Sequence, residues 1–382
     1  MPTQKKIMLV FGTRPEAIKM APLCHAFANG PAHLQPVICV TGQHREMLDQ
    51  TLSGFDITPD LDLNIMRPGQ DLFDVTSNVL MGMRGIIDDH RPDMLLVHGD
   101  TTTSMATAMA GFYKGIPVGH VEAGLRTHDL TAPFPEEFNR QVTGKVTTWH
   151  FAPTAASRAN LMAEGVQDSQ ILVTGNTVID ALHWMLNRID ADPVRRGALD
   201  AQINSHLPFD WANEKMVLIT GHRRENFGDG FLHICHALQS LAQQHPAVHF
   251  VYPVHLNPNV QAPVNALLGG LDNVHLIPPL DYEPFVHLLR HSYIILTDSG
   301  GIQEEGPSLG KPVLVMRDVT ERPEAIAAGT VRLVGANQTQ IIQNVNELLN
   351  NSDVYQMMSQ AHNPYGDGKA CARIVEFLGQ LS

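Results

Sequence analysis

Short apolar segments alternate with longer amphipathic ones along nearly the whole chain. Eight of the apolar segments have the length of buried strands, and each leads into a polar loop or a helical pattern. These segments are residues 7–11, 37–40, 94–97, 118–120, 216–220, 249–254, 293–297 and 313–316. The alternation of strand and helix predicts an α/β fold with parallel sheets covered by helices.

The same pattern divides the chain into two halves. It lapses over residues 187–215, a polar and partly irregular stretch that we interpret as the region just past a domain junction. Beyond it, MVLITGHRREN resembles IMLVFGTRPE near the start, with a strand, a glycine and then a basic loop. Chance could produce that similarity, since the plan is common in α/β proteins. We favour two successive Rossmann-like domains with a ligand cleft between them, ending in a glycine-rich loop and a short helix.

Composition limits the classes of function. A chain of 382 residues is long enough for two domains, and its hydrophobic fraction of 43% is typical of a globular protein. The net charge of -13 argues against a general nucleic-acid binder, because such proteins need basic surface. An anionic small ligand stays compatible with this charge, since a local basic pocket can bind it.

Cysteine spacing and hydropathy indicate where the protein works. The cysteines lie far apart and form no CxxC pair, which indicates buried thiols of a reducing compartment rather than a disulfide framework. They are Cys24, Cys39, Cys235 and Cys371. The N-terminal apolar run is too short for a signal peptide, and no run approaches the length of a membrane span. We therefore expect a cytoplasmic protein without membrane contact.

Polar loops follow several predicted strands, at the ends where α/β sheets collect ligands. The loop after the first strand carries Arg14, and Lys19 lies one turn into the next helix. Asp100 and Glu122 follow the strands at 94–97 and 118–120, and His222 holds the same place in the second half. These loops are the candidate functional regions.

Ser299, Gly300 and Gly301 fall where a predicted strand gives way to a helix. Glycines let the backbone approach a ligand closely, and free N–H groups at a helix start bind anions. Glu305 would lie about one turn into that helix, where a carboxylate suits the paired hydroxyls of a ribose. The alternative is an ordinary serine N-cap, with Glu304 and Glu305 interacting favourably with the helix dipole. From the residues alone, both interpretations stay open.

Signatures of common cofactors are missing from the sequence. There is no GxGxxG, residues 306–311 depart from a P-loop, no HExxH occurs, and the 20 histidines show no metal-ligand spacing. We expect no nicotinamide, flavin or metal cofactor.

Eight strings occur in order along the chain: FGTRPEAIKMAPL, HGDTTT, HVEAGLRT, FPEEFNR, TGNTVIDAL, TGHRREN, TDSGGIQEE and MRDVTERPE. Together they closely resemble the bacterial non-hydrolysing UDP-N-acetylglucosamine 2-epimerases over nearly the whole chain. The resemblance implies a GT-B-like fold, with a first domain over residues 1–176 plus a returning helix over 369–382, and a second, UDP-binding domain over 177–368. It also implies a homodimer that interconverts UDP-N-acetylglucosamine (UDP-GlcNAc) and UDP-N-acetylmannosamine (UDP-ManNAc) without a cofactor.

The resemblance further implies a substrate site with contributions from both domains. Besides the ionisable groups discussed next, its members are Arg14, Lys19, Phe285, Ser299, Gly300, Gly301, Glu305 and Arg322. The serine and the two glycines would hold the diphosphate, and the glutamate would hold the ribose. Arg14 and Lys19 would face the phosphates from the first domain.

The implied chemistry needs an acid and a base, because the hydrogen on sugar C2 is not next to a carbonyl. Members of the family are thought to eliminate UDP, form 2-acetamidoglucal and add UDP back after C2 is reprotonated from the opposite face. That route needs proton transfer on both faces of C2 and cationic help for the departing UDP. The matched residues are Asp100, Glu122, Glu136 and His222.

Each of these four residues also has a structural interpretation. Asp100 could cap a helix, and Glu122 could pair with Arg126 at i,i+4 spacing. Glu136 could belong to a solvated helix start, and His222 could merely cap a strand. The series of motifs favours the functional interpretation for Asp100, Glu122 and His222, and less firmly for Glu136.

A second set of polar residues suggests regulation. In some bacterial relatives, matching positions bind UDP-GlcNAc beside the substrate as an activator. These positions are Gln43, Glu46, Arg67, Arg223 and His255. The alternative is a salt-linked loop.

Three rival functions stay open at this stage. A GT-B glycosyltransferase would share the nucleotide site but transfer the sugar to an acceptor, and a hydrolysing epimerase would release free sugar. A regulatory protein would bind the UDP-sugar without turnover. The sequence also does not separate GlcNAc from a further-modified acetamido sugar.

Overall fold

The structure is a computed structural model that describes residues 4–42 and 45–381. The chain divides into two compact units. The N-terminal unit consists of Met1–Trp184 with Tyr365–Ser382, and the C-terminal unit is Met185–Pro364.

In the described part of the N-terminal unit, seven strands form one parallel sheet. The strands are β1 (Lys5–Phe11), β2 (Leu34–Val40), β3 (Leu61–Asp62), β4 (Met94–His98), β5 (Val118–Val121), β6 (Trp149–Ala152) and β7 (Ile171–Val173). The helices that follow them are α1 (Arg14–Ala28), α2 (Arg45–Gly54), α3 (Leu72–His90), α4 (Thr102–Tyr113), α5 (Glu136–Val146), α6 (Ala155–Ala163) and α7 (Thr177–Ala191). The central strands are continuous apolar runs because helices cover both faces of a parallel sheet.

The C-terminal unit repeats this plan with a sheet of six described strands, again all parallel. They are β8 (Met216–Thr220), β9 (His249–Pro253), β10 (Val274–Ile277), β11 (Ile294–Thr297), β12 (Val313–Val315) and β13 (Val331–Leu333). Its helices are α8 (Pro193–Asn204), α9 (Asp229–Gln244), α10 (Pro258–Leu268), α11 (Tyr282–His291), α12 (Ile302–Ser308), α13 (Pro323–Ala327), α14 (Gln338–Asn350) and α15 (Ser352–Ser359).

Both sheets reverse their strand order at one point. The N-terminal sheet runs β3-β2-β1-β4-β5-β6-β7, and the C-terminal sheet runs β10-β9-β8-β11-β12-β13. The order therefore changes direction between β1 and β4 in one unit and between β8 and β11 in the other. Ligands of open α/β sheets bind outside the carboxyl ends of the strands at such points. We therefore expect ligand-binding residues in the loops after β1, β4, β8 and β11.

The last helix, α16 (Ala370–Gln380), belongs to the N-terminal unit. Its first turn is anchored by Asp180 of α7, whose carboxylate accepts the backbone N–H groups of Ala370 and Cys371 over 3.1 and 2.9 Å. These bonds satisfy donors that a helix start otherwise leaves unpaired.

All eight predicted strands are present, and the α/β class is confirmed. Residues 187–215 begin just past the boundary between the two units, which falls between Trp184 and Met185. This stretch was expected to be irregular in part and contains more helix than that, because α7 continues to Ala191 and α8 follows after one residue. Asp192 explains the second helix, since its side chain accepts the N–H groups of Val194 and Arg195 and Pro193 occupies the first helical position. The remaining five described strands, β3, β6, β7, β10 and β13, were not predicted.

The prediction of buried thiols is confirmed, because all four cysteines are free and buried. Within the described residues, no helix combines the length and the apolar character needed to cross a membrane.

Candidate active site

Glu122 follows β5 and is buried at the carboxyl edge of the N-terminal sheet. Its φ of 61° is rare for a non-glycine residue, and such conformations cluster at functional sites. The carboxylate forms an ion pair with Lys19 of α1 and accepts a 2.8 Å hydrogen bond from Nδ2 of Asn176. Arg140 of α5 places its guanidinium 3.6 Å from Oε1 and donates to the Glu122 carbonyl over 2.7 Å. Two cations and an amide therefore hold this carboxylate in place.

Asp100 follows β4 and shares the guanidinium of Arg140, which donates to its Oδ2. The side chain of Asp100 remains 32% exposed, whereas that of Glu122 is 5% exposed. Thr101 rather than Asp100 caps α4, because its Oγ1 accepts the N–H of Ser104 over 3.1 Å. The helix-cap alternative for Asp100 is therefore wrong. One arginine instead brings two carboxylates together where β4 and β5 end.

The surface ion pair considered for Glu122 is also wrong. Arg126 does not pair with Glu122 but donates to Glu164 over 2.6 and 3.0 Å. Gly124 explains why the chain can turn here, since its φ is 89° and an added Cβ would lie 2.3 Å from the Ser157 carbonyl oxygen. The HVEAGLRT string thus folds so that its acidic and basic residues serve different partners.

Glu136 is the first residue of α5 and is half-buried. Among the described residues, no hydrogen bond or ion pair involves its carboxylate. Its neighbour Glu137 is buried instead and accepts the Thr127 N–H over 3.1 Å and the Gln141 amide over 2.8 Å. The helix-start interpretation of Glu136 and its predicted role in proton transfer both stay open.

The start of α1 is fixed by Glu16, which is fully buried beneath the loop after β1. Its carboxylate accepts the N–H groups of Gly12 and Thr13 over 2.9 and 2.8 Å and the hydroxyl of Ser104 over 3.0 Å. Burial raises the pKa of Glu16, and these hydrogen bonds oppose that effect. The network presents Arg14 half-buried in the first turn of α1.

Three buried histidines lie on neighbouring strands at this edge: His98 of β4, His120 of β5 and His150 of β6. Burial lowers the pKa of His98 and of His150 to about 4, and lowers that of His120 well below its usual value. They are therefore neutral near pH 7. In the part of the chain that the structure describes, no group of three or more histidine, cysteine, aspartate or glutamate side chains is arranged to hold a metal ion.

In the C-terminal unit, Ser299, Gly300 and Gly301 connect β11 to α12. The serine-cap alternative is wrong, because Gly301 occupies the N-cap position and no side chain caps this helix. Gly300 lies against Arg322: a Cβ added there would be 2.7 Å from Nη1 of that guanidinium. Arg322 in turn donates to Glu304 over 2.6 Å. The glycine therefore allows the backbone to pass directly beside a buried cation.

Glu305 is buried in α12, and its Oε1 accepts a 2.8 Å hydrogen bond from the hydroxyl of Tyr282. Burial raises the pKa of Tyr282 well above its usual value, and the nearby Glu305 carboxylate adds to the effect. Tyr282 is the first residue of α11, where Phe285 lies half-buried one turn later. Residues from two helices thus position the predicted ribose carboxylate.

His222 follows β8 with its side chain 46% exposed. The backbone N–H groups of His222 and Arg223 both donate to Oδ2 of Asp298 over 2.8 Å. Its ring stacks on His255, with centroids 5.1 Å apart and planes 12° apart. His222 is therefore held by Asp298 through its backbone and by His255 through its ring, which goes beyond the capping of a strand.

The residues predicted to bind an activator divide between the units. Glu46 and Arg67 are exposed in the N-terminal unit, whereas Arg223 is half-buried and His255 exposed in the C-terminal unit. Gln43 lies outside the described residues.

Known proteins support the resemblance that the motifs indicated. A family model described as UDP-N-acetylglucosamine 2-epimerase matches residues 28–379. This chain belongs to the UDP-N-acetylglucosamine 2-epimerase family. The UDP-N-acetylglucosamine 2-epimerases of Salmonella typhimurium and Escherichia coli K12 are 59% and 58% identical to it, each over 98% of both chains.

A crystal structure of the Neisseria meningitidis member of this family, bound to UDP-GlcNAc, is 50% identical. It covers 98% of this chain and 100% of its own, with a TM-score of 0.91. The predicted family and the GT-B-like fold class are therefore confirmed.

Several residues of the site were not identified from sequence. Arg140 and Asn176 lie within the strings FPEEFNR and TGNTVIDAL, so their motifs were seen but their partners were not. Asp298 likewise lies within TDSGGIQEE, whereas Tyr282 lies outside the eight strings. The roles of these residues depend on contacts with side chains far away in the sequence, and residue spacing does not reveal such contacts.

Proposed function

We propose that this chain interconverts UDP-GlcNAc and UDP-ManNAc by inverting C2 of the sugar. The observation that carries the proposal is the buried Glu122 carboxylate, held by Lys19, Arg140 and Asn176 beside Asp100. Fixed carboxylates next to cations are what proton removal and departure of an anionic group require. Family membership favours this reaction over sugar transfer to an acceptor.

The reaction we infer is an elimination followed by an addition. A carboxylate removes the proton from C2, the C2–H electron pair forms a C1–C2 double bond, and UDP leaves with the electron pair of the C1–O bond. The product of this step is 2-acetamidoglucal. A second group then protonates C2 from the opposite face while UDP returns its oxygen to C1.

We assign the proton transfers to Asp100 and Glu122, and include Glu136 as a candidate because it begins the helix that carries Arg140. Lys19 and Arg14 would balance charge on the departing diphosphate. His222 would donate to that diphosphate or orient a carboxylate.

The nucleotide itself is assigned to the C-terminal unit. Ser299, Gly300 and Gly301 would hold the diphosphate through backbone N–H groups, with Arg322 as the nearby cation. Support comes from the close approach of Gly300 to Arg322: a Cβ built on Gly300 would lie 2.7 Å from the guanidinium, so a larger residue would displace this cation. Glu305 would accept from the ribose hydroxyls, and Phe285 would pack against the nucleotide.

An NMR time course with a small panel of UDP-sugars tests this function. UDP-GlcNAc alone should form UDP-ManNAc without any acceptor. Release of free ManNAc and UDP would identify a hydrolysing enzyme. Binding without turnover would favour a regulatory protein, and turnover of only a further-modified acetamido sugar would change the substrate.

We further propose that the chain acts as a homodimer. Phe73 of α3 is 85% exposed, and the end of α4 exposes Phe112 and Tyr113 at 59% and 66%. The helices α3 and α4 pack against each other, and we assign their exposed apolar side chains to the interface. Light scattering should give twice the monomer mass, and Phe73→Glu should weaken association. A monomer at assay concentrations would contradict this proposal.

UDP-GlcNAc is also proposed as an activator that acts through Gln43, Glu46, Arg67, Arg223 and His255. The rate against UDP-GlcNAc should then be sigmoidal, and purified UDP-ManNAc should react slowly until a trace of UDP-GlcNAc is added. Hyperbolic kinetics in both directions would remove the activator site.

The buried free thiols support our proposal that the enzyme works in the cytoplasm.

A further inference from the structure

Asp298 is a fully buried carboxylate at the end of β11, and the reaction scheme above does not use it. Its Oδ2 accepts the backbone N–H groups of His222 and Arg223, each over 2.8 Å. Its Oδ1 is also buried and has no hydrogen-bond partner among the described residues. A buried carboxylate oxygen without a partner is unfavourable. Oδ1 of Asp298 is therefore a buried acceptor that a hydrogen-bond donor would stabilise.

The imidazole of His222 lies close to this acceptor. Its Nδ1 lies 3.7 Å from Oδ1 of Asp298, which is longer than a hydrogen bond. Catalytic hydrogen bonds are often long in enzymes without substrate and shorten when the substrate binds. A small rotation of the ring would bring the two atoms into range.

The surroundings limit how the ring can turn. The stacked ring of His255 covers one face of His222. Below the loop, the Tyr252 hydroxyl donates to the Gly221 carbonyl over 2.7 Å. A Cβ at Gly221 would lie 3.0 Å from that hydroxyl and 3.7 Å from Oδ2 of Asp298. Glycine thus lets the loop close onto the buried carboxylate.

We propose that Asp298 is a positioning residue that accepts the Nδ1–H of His222 and so directs Nε2 toward the substrate. The assignment of Nε2 to the departing diphosphate rests on the proposed function, whereas the pairing itself does not. A carboxylate on one ring nitrogen fixes the tautomer and stabilises the charged imidazolium. The other nitrogen is then presented as the reactive one.

The charges around His222 fit this role. Partial burial lowers its pKa, and His255 and Arg223 lower it further. Asp298 is the group that opposes them by favouring the protonated ring. Without this carboxylate, the imidazole would lose its proton more readily and would offer less cationic help to a leaving diphosphate.

Asp298→Asn provides a directed test, because the two backbone N–H groups require an acceptor. The amide oxygen should therefore occupy the place of Oδ2, and the NH₂ group should occupy the place of Oδ1. That NH₂ can only donate to Nδ1 of His222, so the neutral ring should change from the Nδ1–H to the Nε2–H tautomer.

The measurement is ¹⁵N NMR of histidine-labelled protein, with the His222 signals assigned by their loss in His222→Asn. We expect the Nδ1–H tautomer in the wild-type protein and the Nε2–H tautomer in Asp298→Asn. We also expect kcat to fall roughly 10²-fold in Asp298→Asn, the scale of acid–base catalysis. UDP affinity should change little.

Asp200→Asn is the matched control. Asp200 pairs with His287 over 2.8 Å in the same unit, and neither residue belongs to the proposed site. This variant should leave the His222 tautomer and turnover unchanged.

An Nε2–H tautomer in the wild-type protein would overturn the pairing without any variant, as would an unchanged tautomer in Asp298→Asn. Near-normal turnover in His222→Asn would overturn the role of Nε2 in the reaction. Failure of the proposed function gives a different pattern: the wild-type protein would form no UDP-ManNAc, while the tautomer would still change in Asp298→Asn.

Discussion

Arg140 provides the sharpest test of how the N-terminal unit holds its carboxylates. Its side chain is 6% exposed, pairs with Asp100 and lies 3.6 Å from Oε1 of Glu122. It also donates to the Glu122 carbonyl over 2.7 Å. Arg140→Met keeps most of the side-chain length but removes the charge and every donor. We therefore expect a loss of both stability and turnover.

The expected size of the stability loss follows from these contacts. Removing one partner of a buried ion pair costs about 3–5 kcal/mol, because the other charge stays buried without compensation. Glu122 keeps Lys19 and Asn176, and Asp100 is one third exposed, so the lower end of this range applies. For a unit of about 200 residues, about 3 kcal/mol lowers Tm by about 6–12 °C.

Differential scanning calorimetry would measure this change, with Arg158→Met as the matched control. Arg158 lies on α6 of the same unit and pairs with Asp168, but the two side chains are 39% and 59% exposed. An exposed ion pair contributes about 0.5 kcal/mol, which corresponds to about 1–2 °C. Adding Asp100→Asn to Arg140→Met should restore part of the lost stability, since it removes an uncompensated charge.

Equal and small Tm changes in Arg140→Met and Arg158→Met would refute this reasoning. A large change that Asp100→Asn does not reduce would also contradict it, because the loss would then come from packing rather than charge.

Three further predictions concern turnover, binding and pH. Asp100→Asn and Glu122→Gln should each lower kcat by roughly 10²-fold or more, while calorimetric titration still detects UDP binding; near-normal turnover would reassign that residue to structure. Arg14→Ala should raise the UDP dissociation constant in the same titration, and unchanged affinity would remove Arg14 from the site. The N-terminal unit should lose stability below about pH 6.5, because the pKa of His150 is lowered by burial from 6.5 to about 4 and the unfolded chain then binds more protons. Between about pH 7 and about pH 5, the decrease in the free energy of unfolding should be about 2 kcal/mol smaller in His150→Gln than in the wild-type protein. An unchanged pH dependence of Tm in this variant would show that His150 is not responsible.

The sequence was sufficient to predict the fold class because the central strands are fully buried. Residues 94–97 and 216–220 form nearly continuous apolar runs. Such runs are expected where helices cover both faces of a sheet, because side chains on both sides of each strand are then buried. Short strands such as β7 and β13 contain three residues each and have no such signature. The helix α8 was missed because its polar surface hides the cap at Asp192 and the buried positions Leu199 and Ile203.

The sequence allowed the polar loops of the candidate site to be predicted, but not the contacts between their side chains. The loops after β1, β4, β5, β8 and β11 were identified because they are rich in polar residues and because ligands of α/β sheets bind at the carboxyl ends of the strands. The partners of those residues were not identifiable. Arg140 reaches Asp100 across 40 positions, and Asn176 reaches Glu122 across 54. The local alternatives for Asp100 and Glu122 could therefore be set aside only on the series of motifs, and the structure contradicts both.

The elimination of UDP from the sugar is tested most directly by running the reaction in D₂O. Breaking the C2–H bond transfers that hydrogen to a side chain that exchanges with solvent, so the returning hydrogen comes from the solvent pool. UDP-ManNAc formed from UDP-GlcNAc should therefore carry deuterium at C2, as measured by NMR and mass spectrometry. Loss of both turnover and incorporation in Glu122→Gln would support the assigned residue. Product that fully retains the original hydrogen at C2 would contradict the mechanism.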